Sequence, residues 1–274
     1  MNIPRRVLAV DWSGDVTAAR KRIWLCEVDA SGVRRLESGR SREELVEHLI
    51  AEAARELHLT VGLDFAFSFP AELLRKRAHR TIATVWHETE MLGEGWLEHC
   101  PFPFWGKPGR KKPPLGETLY RATELAVARE TGFAPFSVLQ IGGAGAVGVG
   151  SIRGMPGLRR LRGAGFSVWP FDAATLPSVV EIWPRLFIGE VRKSKADERA
   201  DYLAAWYPEL DPAVRRAAVA SDDAFDALVS ALEMYRHREE LAELPRSRDA
   251  TTLLEGEIWR PLSLSALPWR SDAG

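Results

Sequence analysis

The sequence predicts an α/β protein in which helices flank a mixed β-sheet. Three observations lead to this class. Residues 7–10 form a continuous apolar run, which is typical of a strand covered on both faces. Two shorter strand-like runs follow at 23–28 and 33–36, separated by turn residues. Helical and strand patterns then alternate, and we expect one domain spanning residues 1–274.

The first long helix and the fourth strand follow next. Ser41 is a good N-cap with Glu44 three residues later, which predicts a helix that runs to about Leu57. Residues 60–67 alternate bulky and small side chains, as in a strand with two different faces. Asp64 falls on the face of small side chains, so the pattern predicts a carboxylate with open space beside it.

The central segment, about 70–165, predicts a mostly helical insertion after the fourth strand. Pro70 is suited to the start of a helix. Residues 100–114 contain several prolines next to aromatic side chains, so they cannot form a regular helix. We expect a fixed aromatic loop there, and strands resume at 166–171 and 179–183.

The last helix and the tail complete the predicted elements. Ser221 is a suitable N-cap, and the following helix should end by about Leu244 because a proline comes next. The tail, about 245–274, carries Trp259 and Trp269, which we expect to anchor it to the core.

The composition excludes several classes of protein. With 274 residues and 46% hydrophobic content the chain can bury a large core, and its formal charge of −1 gives no overall attraction for nucleic acid or acidic membranes. We find no signal-peptide pattern and no apolar run near the roughly 20 residues of a membrane span. Cys26 and Cys100 are too few for a disulfide framework or a zinc motif. We expect a cytoplasmic protein with no membrane partner.

Carboxylates interrupt apolar runs at four places, where an unpaired charge would cost roughly several kcal/mol. These positions are Asp11, Asp64, Glu181 and the pair Asp223 and Asp226. The members of the pair are three residues apart, so they project from one side of a helix. The pattern suggests that a cation compensates these charges.

A divalent metal ion fits these residue types. Carboxylates that gather closely raise one another's pKa unless a cation neutralises them, and Mg²⁺ or Mn²⁺ prefers oxygen ligands. Such ions polarise a phosphodiester and activate water, so the pattern predicts hydrolysis of a nucleic-acid backbone. Structural roles are also open, since Asp222 suits a first helical turn, Asp64 and Asp226 suit salt bridges, and Glu181 suits an ion pair with the nearby Arg185.

The chain resembles a family of predicted nucleases with a ribonuclease H-like fold, a domain of unknown function. The resemblance spans most of the chain through the ordered motifs Val10-Asp11-Trp12-Ser13-Gly14, Gly62-Leu63-Asp64-Phe65-Ala66, Gly142-Gly143-Ala144-Gly145, Arg153-Gly154-Met155-Pro156, Trp169-Pro170-Phe171-Asp172, Glu181-Ile182-Trp183-Pro184 and Asp222-Asp223-Ala224-Phe225-Asp226-Ala227. It implies a five-stranded mixed sheet flanked by helices. It also implies that Asp11, Asp64, Asp223 and Asp226 bind the metal, with Glu181 as a further candidate catalytic residue.

Basic residues of the insertion are candidates for substrate binding. Lys107, Arg110 and Lys111 lie beside aromatic side chains, which combines phosphate contacts with surfaces for base stacking. Arg153 begins a second basic stretch. A solvated loop and a solvated helix face explain these charges equally well.

Two rival functions remain open at the level of sequence. Residues 11–14 resemble the first phosphate loop of actin-like sugar kinases, which suggests an ATP-dependent phosphotransferase, although no second phosphate loop is evident. The glycine-rich residues 141–154 lack the ending of a P-loop. The other rival is a non-catalytic binding module whose acidic residues merely tie the sheet to a helix.

Overall fold

A computed structural model of the chain describes residues 3–173, 175–263 and 267. Its strands are β1 (Arg6–Asp11), β2 (Trp24–Asp29), β3 (Gly32–Glu37), β4 (Leu59–Leu63), β5 (Ser167–Val168) and β6 (Ser178–Glu181). Its helices are α1 (Ala19–Arg22), α2 (Arg42–Arg55), α3 (Ala71–Lys76), α4 (Ile82–His99), α5 (Ala122–Thr131), α6 (Val147–Gly163), α7 (Arg185–Ile188), α8 (Ala196–Trp206), α9 (Pro212–Ala220), α10 (Asp222–Arg236), α11 (Arg238–Ala242) and α12 (Thr252–Glu255). A 3-10 turn covers Gly116–Leu119. The predicted α/β class is confirmed.

The strands of the described residues form one mixed sheet in the order β3-β2-β1-β4-β6-β5. The first three strands pair antiparallel, while β1 with β4, β4 with β6, and β5 with β6 pair parallel. The sheet therefore has six strands, and the expected count of five is wrong. The difference lies at the edge, where β5 has two residues.

Helices cover both faces of the sheet, because the side chains of each strand alternate between two cores. Leu8 and Val10 of β1 belong to the core under α2, α4 and α6. Val7 and Ala9 point to the other side, into the core formed with α8, α9 and α10. The result is a sheet between two helical layers.

Several predicted boundaries shift in the structure. The capping box of Ser41 and Glu44 is confirmed at the start of α2. β4 ends at Leu63, before the expected position, because Phe65 N donates to Leu63 O at 3.0 Å and the chain turns. The predicted strand at 166–171 shortens to β5, since Asp172 N donates to Val168 O at 3.0 Å in a turn.

The C-terminal elements also differ in part from the prediction. Instead of one helix to about Leu244, α10 and α11 are separated at His237, whose side chain pairs locally with Glu240 at 2.8 Å. Trp259 is buried and packs on Phe187 with ring centroids 6.0 Å apart, so its anchoring role is confirmed. Trp269 lies outside the described residues.

The segment between β4 and β5 contains α3 to α6, and residues 100–114 form the predicted irregular loop, in which Phe104 and Trp105 are buried and Phe102 is exposed. Both cysteines are buried and unpaired. Among the helices of the described residues, none has the length and apolar character needed to cross a bilayer.

A charged cluster joins α2 to the sheet. Glu52 of α2 is buried and accepts hydrogen bonds from Arg6 of β1 at 2.5 Å and from Arg35 of β3 at 3.0 Å. Burial alone would raise the pKa of Glu52, but the two guanidinium groups outweigh it and lower the pKa to about 2. This carboxylate therefore stabilises the fold in its charged form.

Replacing Glu52 by glutamine should lower the free energy of unfolding by about 2 kcal/mol near pH 7, because Arg6 and Arg35 each lose one of their two carboxylate partners and keep only Glu27. A carboxyl group with a lowered pKa stabilises above its unfolded pKa, so the difference should shrink as the pH falls below about 4. Urea denaturation measures this, with Glu56→Gln, which removes an exposed pair with Arg5, as the control. Equal losses in both variants would contradict a special role for Glu52.

Candidate functional site

A cleft of about 490 Å³ opens at the carboxyl ends of β1 and β4. β1 ends at Asp11, and Asp64 follows β4 immediately. Because the two strands are parallel neighbours, their ends meet at one edge of the sheet, and Asp64 N donates to Val10 O at 3.1 Å. Asp11 and Asp64 both line the cleft, as is common for sites at the carboxyl ends of parallel strands.

Helix α10 brings the other two acidic residues to the same place. Ser221 caps the helix by accepting from Ala224 N at 3.2 Å, which directs the first turns toward the sheet. Asp223 lines the cleft, whereas Asp226 is buried with 1% of its surface exposed. The helix lies close to β4, since a Cβ on Gly62 would come within 2.4 Å of the sulfur of Met234.

Burial and mutual repulsion govern the charges of these carboxylates. Burial, together with the charges of Asp226 and Asp64, raises the pKa of Asp11 well above its ordinary value. Burial is also the main cause that raises the pKa of Asp64 to about 7 and that of Asp226 to about 6. The cluster therefore resists full ionisation.

Lys193, on the segment between α7 and α8, supplies a positive charge to this cluster. Its Nζ donates to Oδ2 of Asp226, while Oδ1 of Asp226 is buried without a hydrogen-bond partner. Although burial lowers it, the pKa of Lys193 is raised by Asp226 and Asp11. No pattern in the sequence predicts this role, because the lysine lies in a basic run that is typical of a solvated surface.

Glu181, at the end of β6, is held in a buried ion pair. Arg121 donates to its two carboxylate oxygens at 2.8 and 2.5 Å, and Phe67 N donates at 2.9 Å. The alternative pairing with Arg185 is wrong, since that side chain donates to Val191 O. Glu181 lines the cleft, but both oxygens are engaged, so it connects α5 to the sheet.

The basic residues singled out in the insertion lie elsewhere. Lys107, Arg110 and Lys111 belong to the loop 100–114 and are not among the described residues that line the cleft. Arg153 of α6 does not line it either, and it donates to Gly14 O and binds Glu94 at 2.7 Å. Arg153 thus positions the loop that follows β1.

That loop, residues 12–15, forms one rim of the cleft and is firmly held. Arg42 donates to Ser13 O at 3.1 Å, and the indole of Trp12 donates to Gly150 O at 3.1 Å. Gly14 packs on α6, where a Cβ would come within 2.5 Å of Gly150 N. The rim is therefore in place before any ligand binds.

The cluster has the donor type and the charge that a divalent cation requires, but its side chains do not form a complete coordination site. No three His, Cys, Asp or Glu side chains of the described residues are arranged to hold a metal ion. The buried Oδ1 of Asp226 nevertheless lacks a partner, and one ammonium faces the carboxylates of Asp11, Asp64 and Asp226. Oxygen donors with excess negative charge are what Mg²⁺ and Mn²⁺ bind.

Comparison of the chain with protein-family models, with curated proteins and with solved structures gives no match. The arrangement of side chains in the cleft is therefore the basis on which we infer a function.

Replacing Asp64 by asparagine should stabilise the metal-free protein by about 2 kcal/mol near pH 8. The carboxyl group of Asp64 has a higher pKa in the folded protein than in the unfolded chain, so its ionisation opposes folding. This cost is absent below the pKa of the unfolded chain and is complete once the pH has risen above the pKa of the folded protein. The gain should therefore shrink near pH 5, where Asp64 is largely protonated. Urea denaturation in a chelator measures it, and the exposed Asp197→Asn should change little. A destabilised Asp64→Asn at both pH values would contradict this electrostatic account.

Proposed function

We propose that the protein is a metal-dependent phosphodiesterase or nuclease whose cleft binds Mg²⁺ or Mn²⁺ through Asp11, Asp64 and Asp226. The observation that carries this proposal is the convergence of carboxylates from β1, β4 and α10 on one open cleft with only partial charge compensation. An excess of buried negative charge costs stability, which is expected where a site is built to take a cation.

The fold supports the same proposal. Strands β3, β2, β1, β4 and β6 run side by side as a mixed sheet with helices on both faces, and β5 only extends its edge. This is consistent with the ribonuclease H-like fold that the resemblance implies. Fold analogy by itself does not assign chemistry, so the proposal rests on the carboxylates.

The bound ion would polarise the phosphodiester and lower the pKa of a water molecule. The chain supplies the remaining functions. Asp11 and Asp64 would hold the cation from the ends of two paired strands. Burial and the charge of Asp222 raise the pKa of Asp223, and this carboxylate at the cleft surface is suited to accept a proton from attacking water.

Lys193 has two roles in this proposal. Without a metal, its ammonium compensates the charge of Asp226. Asp226 would be a ligand of a bound cation, and Lys193 would then be free to contact the negatively charged phosphate. Its side chain is 44% exposed and lines the cleft, so it has room for this movement.

Asp64→Asn and Asp11→Asn should each lower the Mn²⁺-dependent hydrolysis of bis(4-nitrophenyl) phosphate or of a single-stranded oligonucleotide by at least about 100-fold. Each amide keeps the shape of the side chain but removes the charge that holds the cation. Initial rates with and without a chelator measure this, together with Mn²⁺ calorimetry. Asp197→Asn serves as the matched control, and undiminished turnover in both cleft variants would refute the proposal.

Lys193→Met should bind Mn²⁺ about tenfold more tightly than the wild type, because a competing positive charge is removed from the cluster. Its kcat should nevertheless fall, since the phosphate loses a charge partner. The exposed Lys195→Met is the control on the same segment. Weaker Mn²⁺ binding in Lys193→Met would mean that the lysine does not occupy the place of the cation.

A further inference from the structure

Aromatic side chains line the same cleft as the carboxylates. Trp12 and Phe65 are buried in its wall, whereas Phe136 and Trp183 remain partly open to solvent. Phe136 is 46% exposed and lines the cleft, so its ring is accessible to a ligand. These two rings give the cleft an apolar part beside its charged part.

The surrounding residues fix both rings. Phe136 lies edge-on to Trp183 with centroids 6.4 Å apart and planes at 88°. Phe133 contacts Trp183 in the same manner at 6.3 Å, and the guanidinium of Arg185 lies 4.8 Å from the centroid of Phe133. On another side Phe136 packs against Gly145, where a Cβ would come within 2.8 Å of the ring. A stacking surface is thus preformed and loses little freedom when a ligand binds.

The size of the cleft limits what it can hold. A volume of about 490 Å³ lies in the range of pockets for small molecules. It suits one or two nucleotides, whereas the bases of a duplex are paired and stacked on their neighbours and cannot lie against a protein ring. Proteins that stack a side chain on the face of a base therefore act on single strands or on nucleotides turned out of the helix.

We propose that the cleft takes an unpaired nucleotide, with its base against Phe136 and Trp183 and its phosphate toward the carboxylate cluster. This inference rests on the proposed function for the position of the phosphate. The base contact itself depends only on the rings. Stacking on an aromatic ring does not distinguish strongly between bases, so the substrate class is single-stranded nucleic acid or a small nucleotide diester of any sequence.

The test compares two probes that share a phosphate and a sugar, adenosine 5′-monophosphate and ribose 5-phosphate. Calorimetry with Mg²⁺ present should show the nucleotide binding at least about tenfold more tightly than the sugar phosphate, since only the nucleotide has a base that can stack on a ring. Tryptophan fluorescence should be quenched by the nucleotide and not by the sugar phosphate. Equal affinity for the two probes, or no binding of the nucleotide, would overturn the inference.

Substitutions of Phe136 and Trp183 test which ring contacts the base. Phe136→Ala should reduce nucleotide affinity to that of ribose 5-phosphate, while Trp183→Phe, which keeps a ring, should retain part of the preference. Phe102→Ala is the matched control, because Phe102 is 70% exposed and lies outside the cleft lining. An unchanged preference in a folded Phe136→Ala would overturn the role of Phe136.

A separate Mn²⁺ titration keeps the two proposals apart. If Mn²⁺ binds but the two probes bind equally, the metal centre stands and the base site is refuted. If the nucleotide is preferred while Mn²⁺ fails to bind at the carboxylates, the base site stands and the metal-dependent function is refuted.

Discussion

The repulsion among the carboxylates of Asp11, Asp64 and Asp226 is the constraint on which the site depends. Asp11 and Asp226 are buried and Asp64 is partly buried at the edge of the sheet, and the ammonium of Lys193 compensates their charges only in part. Their raised pKa values mean that the metal-free protein is least stable where these groups must ionise. A divalent cation would relieve this cost, so binding and stability are coupled through the same charges.

The rest of the fold keeps these carboxylates close together although they repel one another. Small side chains such as Gly62 let α10 approach the sheet, which fixes the distance between the ends of the strands and the first turns of the helix. The pair of Arg121 and Glu181 ties the helical segment after β4 to the sheet next to the cleft. Strands and a helix therefore position the acidic residues. Packing in the rest of the protein offsets the loss of folding stability that their repulsion causes.

Local patterns in the sequence predicted much of this arrangement. Alternation and N-caps identified β1 to β3, α2 and α10, and the interruption of apolar runs identified Asp11, Asp64 and Asp226 as unusual. Such local patterns do not predict contacts between segments that are distant in the sequence. Nothing local distinguishes Lys193 from a surface lysine, or connects Arg121 with Glu181 across the insertion. The two-residue β5 and the early end of β4 depend on turns that tertiary contacts impose.

Crystals of the protein soaked in Mn²⁺, with diffraction collected at the manganese absorption edge, test the central claim most directly. We predict one strong anomalous peak within coordination distance of carboxylate oxygens of Asp11, Asp64 and Asp226, with Lys193 no longer bonded to Asp226. A cleft without a peak at saturating Mn²⁺, and with Lys193 still bound to Asp226, would contradict it.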